Sequence, residues 1–136
     1  MDIRSIAMIT AVPAAFLALV CCSPVRKDAH GITVRTDDGT KVRVEVVSDD
    51  IIHTMAVPRG AGFSTGTSLS VIPQDHETEY TVDEEGSDIV IRTASVTVRI
   101  DKSCGRIRYY DADGSLKTSE DGREFSPISV EGTEAW

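Results

Sequence analysis

Three histidines, His30, His53 and His76, are the side chains of this sequence most suited to holding a transition metal or moving a proton near neutral pH. Each stands isolated, without the close partner that a zinc site requires. His53 lies in a run of alternating residues, where a surface or half-buried strand histidine is the simpler reading. Asp111 to Gly114 carries the residue types of a calcium loop. A loop of that kind opening at Asp111 needs glycine at position 116 and glutamate at 122, where the chain has Leu116 and Gly122. A hairpin turn accounts for it. There is no Gly-x-Ser-x-Gly elbow, no His-Glu-x-x-His pair and no phosphate-binding glycine loop. The paired carboxylates of a glycosidase must face each other across a pocket. Here the acids gather in Asp37-Asp38, Asp49-Asp50 and Asp83 to Glu85, read as solvated turns. Cys104, beside Gly105, reads as an inert surface thiol. No catalytic residue, metal ligand or cofactor is assigned. The segment most suited to binding is the glycine-rich loop Arg59 to Thr67, too long for a tight turn, with Arg59, Phe63, Ser64 and Thr65 as its candidate contacts.

The elements that would position these residues are strands. Ile32 to Thr36, the turn Asp38-Gly39, and Lys41 to Val47 form a hairpin that places Val42, Val44 and Val46 on one face and Lys41, Arg43 and Glu45 on the other. Asp49-Asp50 turns the chain into Ile51 to Val57, which Pro58 ends by removing a ladder donor. Further strands are expected at Ser68 to Ile72, Thr78 to Val82, Asp88 to Thr93, Val96 to Ile100 and Arg106 to Tyr110. Asp113-Gly114 turns the chain again. The pattern weakens from Leu116, with Ile128 to Val130 the last candidate and Trp136 standing as though another strand were starting. No apolar stretch of helical period exists outside the first residues, and no fixed repeat. The fold class is all-β, an antiparallel sandwich.

The first residues read as a leader. Arg4 precedes an uncharged, mostly apolar run from Ile6 to Val20, followed by Cys21, Cys22, Ser23 and Pro24. That run is shorter than the roughly 20 residues of a membrane span. Leu19 to Cys22 resembles a bacterial lipobox. Residues 1–21 are therefore expected to be a lipoprotein signal peptide and Cys22 the site of lipid attachment, with 22–31 a tether and 32–136 the sandwich. The membrane is then a partner through the anchor, and the expected location is the bacterial cell envelope. Asp2 and Arg4 cancel, so the net charge of -8 survives cleavage and argues against nucleic acid as a partner. With Cys104 the one unlipidated thiol, no disulfide is expected within the chain.

The order of segments resembles the N-terminal β-sandwich of glycoside hydrolase family 31, of the α-xylosidase and α-glucosidase type. Four pieces carry it: Gly31 to Val34 with Val42 to Ile52; Ser68 to Pro73; Ile91 to Asp101; and Gly105 to Gly114. The resemblance implies a galactose-mutarotase-like sandwich that packs on a (β/α)₈ barrel. In the family that barrel carries two aspartates, which retain configuration through a covalent glycosyl-enzyme. Nothing of a barrel follows here, so the chain is expected to be a fragment, inactive alone, with the barrel as its partner and an oligo- or polysaccharide as the ligand of the whole enzyme. Relatives often place arginine where this chain has His53. The resemblance also implies that a sandwich loop reaches the active-site rim, for which Arg59 to Thr67 is the candidate. The alternatives are a free-standing surface lipoprotein that binds glycan or protein, and a non-functional remnant.

Overall fold

Period-two alternation of valine with charged residues drives the first hairpin. In the computed structural model, which describes residues 24–64 and 77–135, β2 (Gly31–Arg35) pairs with β3 (Lys41–Val46), setting Ile32 opposite Val44 and Val34 opposite Val42. All four are wholly buried. The turn closes where the sequence places it. Thr36 N donates to Thr40 O at 3.0 Å, and Gly39 takes the positive φ of 90° that a side chain disfavours. The leader with Cys22, residues 65–76 with Thr65, the Ser68 to Ile72 strand and His76, and Trp136 lie outside the described residues.

The tether expected over 22–31 is corrected in part: Val25–Asp28 is a strand, β1, antiparallel to β2, so order begins well before Ile32. Backbone pairing needs no apolar pattern, and a charged outermost strand suits a sheet edge. Asp28 is gripped by Arg43, with Nη1 2.5 Å from Oδ2 and Nη2 3.2 Å from Oδ1. β4 (Ile52–Val57) completes a four-stranded sheet of order β1-β2-β3-β4.

The second sheet is a five-stranded meander: β5 (Thr81–Glu85), β6 (Asp88–Arg92), β7 (Val96–Asp101), β8 (Ile107–Asp111) and β9 (Leu116–Ser119). β5 starts three residues later than Thr78 because its register is counted back from the turn at Gly86, with Glu85 opposite Asp88 and Thr81 opposite Arg92. Asp83 to Glu85 thus belongs to a strand, not to a solvated turn. β9, where the alternation weakened, is an edge strand exposed along its length. β10 (Ile128–Val130) and β11 (Thr133–Ala135) form a separate hairpin around Glu131 and Gly132. No helix occurs among the described residues.

The two sheets meet face to face. Ile32, Val34, Val42, Val44 and Val46 from one pack with Ile89, Ile91, Val98, Ile100 and Ile107 from the other. Polar ties stitch the ends: Tyr80 Oη donates to Asp28 O at 2.5 Å and Gly31 O at 3.0 Å, and Thr93 Oγ1 to Asp49 O at 2.5 Å.

Candidate functional site

The glycine-rich loop leaves β4 at Pro58 and is anchored at its base on the β2–β3 turn. Lys41 Nζ donates to Ala61 O at 2.8 Å. The Arg59 side chain lies so close to Gly39 that a Cβ there would stand 3.0 Å from its Cγ and Cδ. Arg59 and Ser64 are exposed and Phe63 is half-buried. The loop's first half therefore has a fixed exit direction.

The other sequence candidates do not converge on it. His53 is exposed on the outer face of β4, its Nδ1 2.9 Å from Glu45 Oε2, and Arg43 Nε donates to Glu45 Oε1 at 3.1 Å. Burial works against ionisation of Glu45, yet the bonds to His53 and Arg43 outweigh it and hold the carboxyl below its usual range. Arg43 likewise lowers Asp28. The result is a chain of polar contacts, His53 to Glu45 to Arg43 to Asp28, running across the sheet from β4 to β1. His30 is exposed in the β1–β2 turn, and Cys104 is exposed in the β7–β8 turn. Among the described residues no group of three or more His, Cys, Asp and Glu side chains is placed to hold a metal ion.

Two arrangements were not among the expectations drawn from the sequence. On the outer face of the five-stranded sheet, Arg92 bridges Asp83, at 2.8 Å, and Glu85; Arg99 reaches Glu85 at 2.6 Å and Asp88 at 3.6 Å; Arg108 holds Asp88. Bonds from Arg92 and then Arg99 lower the Glu85 carboxyl. Val90 shares this face between Asp83 and Arg99 and is wholly buried. The signal in the sequence was the alternation of acids and arginines at every second residue of neighbouring strands.

The second is a cleft of about 300 Å³ at the end of the sandwich where the β3–β4, β6–β7 and β8–β9 turns gather, walled by Ile52, Val96, Tyr109 and Tyr110. Asp111 and Lys117 stand at its rim, Nζ to Oδ2 2.6 Å. The Lys117 bond, followed by the Ser115 amide, holds the Asp111 carboxyl below its usual range. Burial raises the Tyr109 phenol, whose hydroxyl donates to Thr54 Oγ1 at 3.2 Å.

The chain matches no protein-family model. Its fold is similar to part of the family 31 α-xylosidase of Xanthomonas citri, at 36% identity over 81% of this chain and 12% of that one, with a TM-score of 0.72. It is also similar to the family 31 dextranase of Flavobacterium johnsoniae in complex with isomaltotriose, at 20% identity, 81% and 14% coverage and a TM-score of 0.62. The cycloalternan-forming enzyme of Listeria monocytogenes in complex with a pentasaccharide substrate matches at 23% identity, 71% and 9% coverage and 0.51. The last two bear on fold alone. The chain thus spans only 9 to 14% of the length of these enzymes. With the sandwich topology observed and the identity to the α-xylosidase spread over four-fifths of its length, the chain belongs to glycoside hydrolase family 31, as its N-terminal β-sandwich domain.

Proposed function

We propose that the chain is the non-catalytic sandwich of a retaining α-glycosidase, packing against a catalytic barrel and shaping the substrate mouth through the loop that begins at Arg59. The observation that carries this is the β10–β11 hairpin. Ile128 and Val130 on β10 are each 57% exposed, and the hairpin pairs only with itself among the described strands. An exposed apolar strand pair of this kind is unstable alone and marks a surface to be covered. Similarity to the Xanthomonas citri α-xylosidase supports an α-linked glycan as the substrate class of the whole enzyme. In this reading the sandwich supplies no acid, base or nucleophile. Its part is to carry the loop that begins Arg59 to Ser64 toward the mouth, using Lys41 and Gly39 to fix where the loop leaves the sheet. Lipid attachment at Cys22 and a place in the cell envelope belong to the same proposal and are supported by the leader sequence.

The test is a graft. Residues 24–135 replace the matching region of the Xanthomonas citri enzyme, and hydrolysis of an aryl α-xyloside is measured. The graft is expected to be active, a deletion of the region inactive, and the present chain alone without turnover. A folded but inactive graft, or turnover by the purified chain, overturns the reading.

A further inference from the structure

We propose that the end of the sandwich around the β2–β3 turn is a protein-docking surface, where Arg35, Arg59 and Arg106 meet carboxylates presented by the catalytic barrel. The identity of the partner rests on the reading of the chain as one domain of a larger enzyme; the surface itself is defined by geometry and charge.

The signal is where the unpaired arginines fall. Arg43, Arg92, Arg99, Arg108 and Arg123 each bind a carboxylate within the chain. Arg35, Arg59 and Arg106 are exposed, and among the described residues none of them has an acidic partner. The chain carries a net charge of -8, so a shortage of carboxylates does not explain this. One turn gathers all three. Arg35 stands at its stem, opposite Lys41, which in turn lies opposite Val57 at the end of β4. Two residues on, the Arg59 side chain lies against Gly39 at the tip of the turn. Arg106, immediately before β8, lines a recess of about 260 Å³ together with Asp38 of the same turn. Arg26, also exposed, sits within β1 opposite Thr33 and not at the turn.

The acids that line the recess are already committed. Asp38 Oδ1 accepts from the Thr36 hydroxyl and, at 2.9 Å, from Thr40 N. Glu120 accepts from Ile107 N at 3.0 Å and holds Arg123 Nη2 by both oxygens at 2.5 Å. Arg106 is left without a carboxylate. The Glu120–Arg123 pair also pins the chain beside the turn just before the β10–β11 hairpin, which begins at Ile128. The loop from Arg59 and the segment leading to the hairpin therefore leave from one end of the sandwich.

Guanidinium groups suit a contact between folded proteins. They are weakly hydrated, pair with carboxylates through two bonds and are enriched at interfaces where lysine is depleted. Asp37, Asp121 and Glu124 are exposed on the same segments, so the surface is mixed in sign. That suits a protein face of complementary charge and not a polyanion such as nucleic acid.

The test is arginine modification by phenylglyoxal, read by mass spectrometry, on the purified chain and on its graft into the Xanthomonas citri enzyme. Arg35, Arg59 and Arg106 are expected to react in the chain and to lose most of that reactivity in the graft, while Arg26 reacts in both. Should the graft not fold, protection is read on the purified chain mixed with the Xanthomonas citri enzyme lacking the region. Arginines 35, 59 and 106 that stay reactive in the graft, or in that mixture, overturn the proposal. Equal protection of Arg26 also overturns it, because the shielding is then not confined to the turn. The two readings fail separately: an active graft with reactive arginines ends the docking surface alone, and an inactive graft with protected arginines ends the functional reading alone.

Discussion

Asp88 and Arg108 meet through two oxygens: Arg108 Nη2 lies 2.8 Å from Oδ1 and 2.7 Å from Oδ2 of a carboxylate whose residue is only 7% exposed. Arg99 approaches the same carboxylate from β7 at 3.6 Å. Three strands are thus tied together across the outer face of the sheet by charges that no stretch of contiguous sequence brings together. A carboxylate this buried depends on its cations, and the cations on it.

Asp88→Asn removes the charge while keeping the shape. It is expected to destabilise the fold by about 2 kcal/mol, read as a lower urea midpoint at unchanged slope. Glu84, exposed and 3.4 Å from Lys102, provides the contrast, and Glu84→Gln is expected to move the midpoint little.

Gly31→Ala is expected to cost about 3 kcal/mol or to abolish folding. A Cβ at Gly31 would lie 2.0 Å from the Val44 carbonyl oxygen, a backbone atom that cannot step aside without breaking the β2–β3 ladder. A Cβ at Gly62 would meet nothing within 4 Å, and Gly62→Ala is expected to change stability by less than about 0.5 kcal/mol. Equal effects at the two sites would contradict the close packing of β2 on β3.

Tyr80→Phe deletes the hydroxyl that donates to Asp28 O and Gly31 O. The expected loss is about 1 kcal/mol, with faster hydrogen exchange concentrated in β1. The Tyr80 ring also sits under Lys27 Nζ, 4.4 Å from its centroid, and phenylalanine keeps that contact. A uniform rise in exchange over the whole sandwich would show that the hydroxyl does not act on β1.

Acid sensitivity has an identified source in the β7–β8 turn. The Asp101 carboxyl is lowered from 3.8 to about 2, chiefly by the Ser103 hydroxyl, with burial opposing and the Ser103 and Cys104 amides assisting. A carboxyl depressed on folding contributes stability above its unfolded value, and that contribution is lost as pH falls through the folded one. The wild-type chain is therefore expected to lose stability between about pH 4 and pH 2. Asp101→Asn is expected to lose less over that window, measured by urea midpoints at each pH. An identical acid slope in the variant would remove Asp101 from the account.

Much of the fold is legible because burial writes itself into sequence at a period of two. Val42, Val44 and Val46, and Val96, Val98 and Ile100, announce both their strands and their buried faces. β1 and β9 were not legible in the same way. They are edge strands held by backbone hydrogen bonds, and Val25 to Asp28 and Leu116 to Ser119 carry no alternation because one more apolar face was not needed there. The family resemblance lay in the order of turns and strands from Gly31 to Gly114, and similarity at 36% identity over 81% of the chain agrees with it.

The sequence by itself determined the strand class, the hairpin turns and the valine and isoleucine core, since each follows from the chemistry of neighbouring residues. Only the tertiary structure decided which charges pair and where a strand departs from regular register. The Asp83–Arg92–Glu85–Arg99–Asp88–Arg108 chain depends on register among four strands. The bulge at Lys117 likewise follows from pairing, Tyr109 with Thr118 and Tyr110 with Leu116, and not from anything in residues 116–119 themselves.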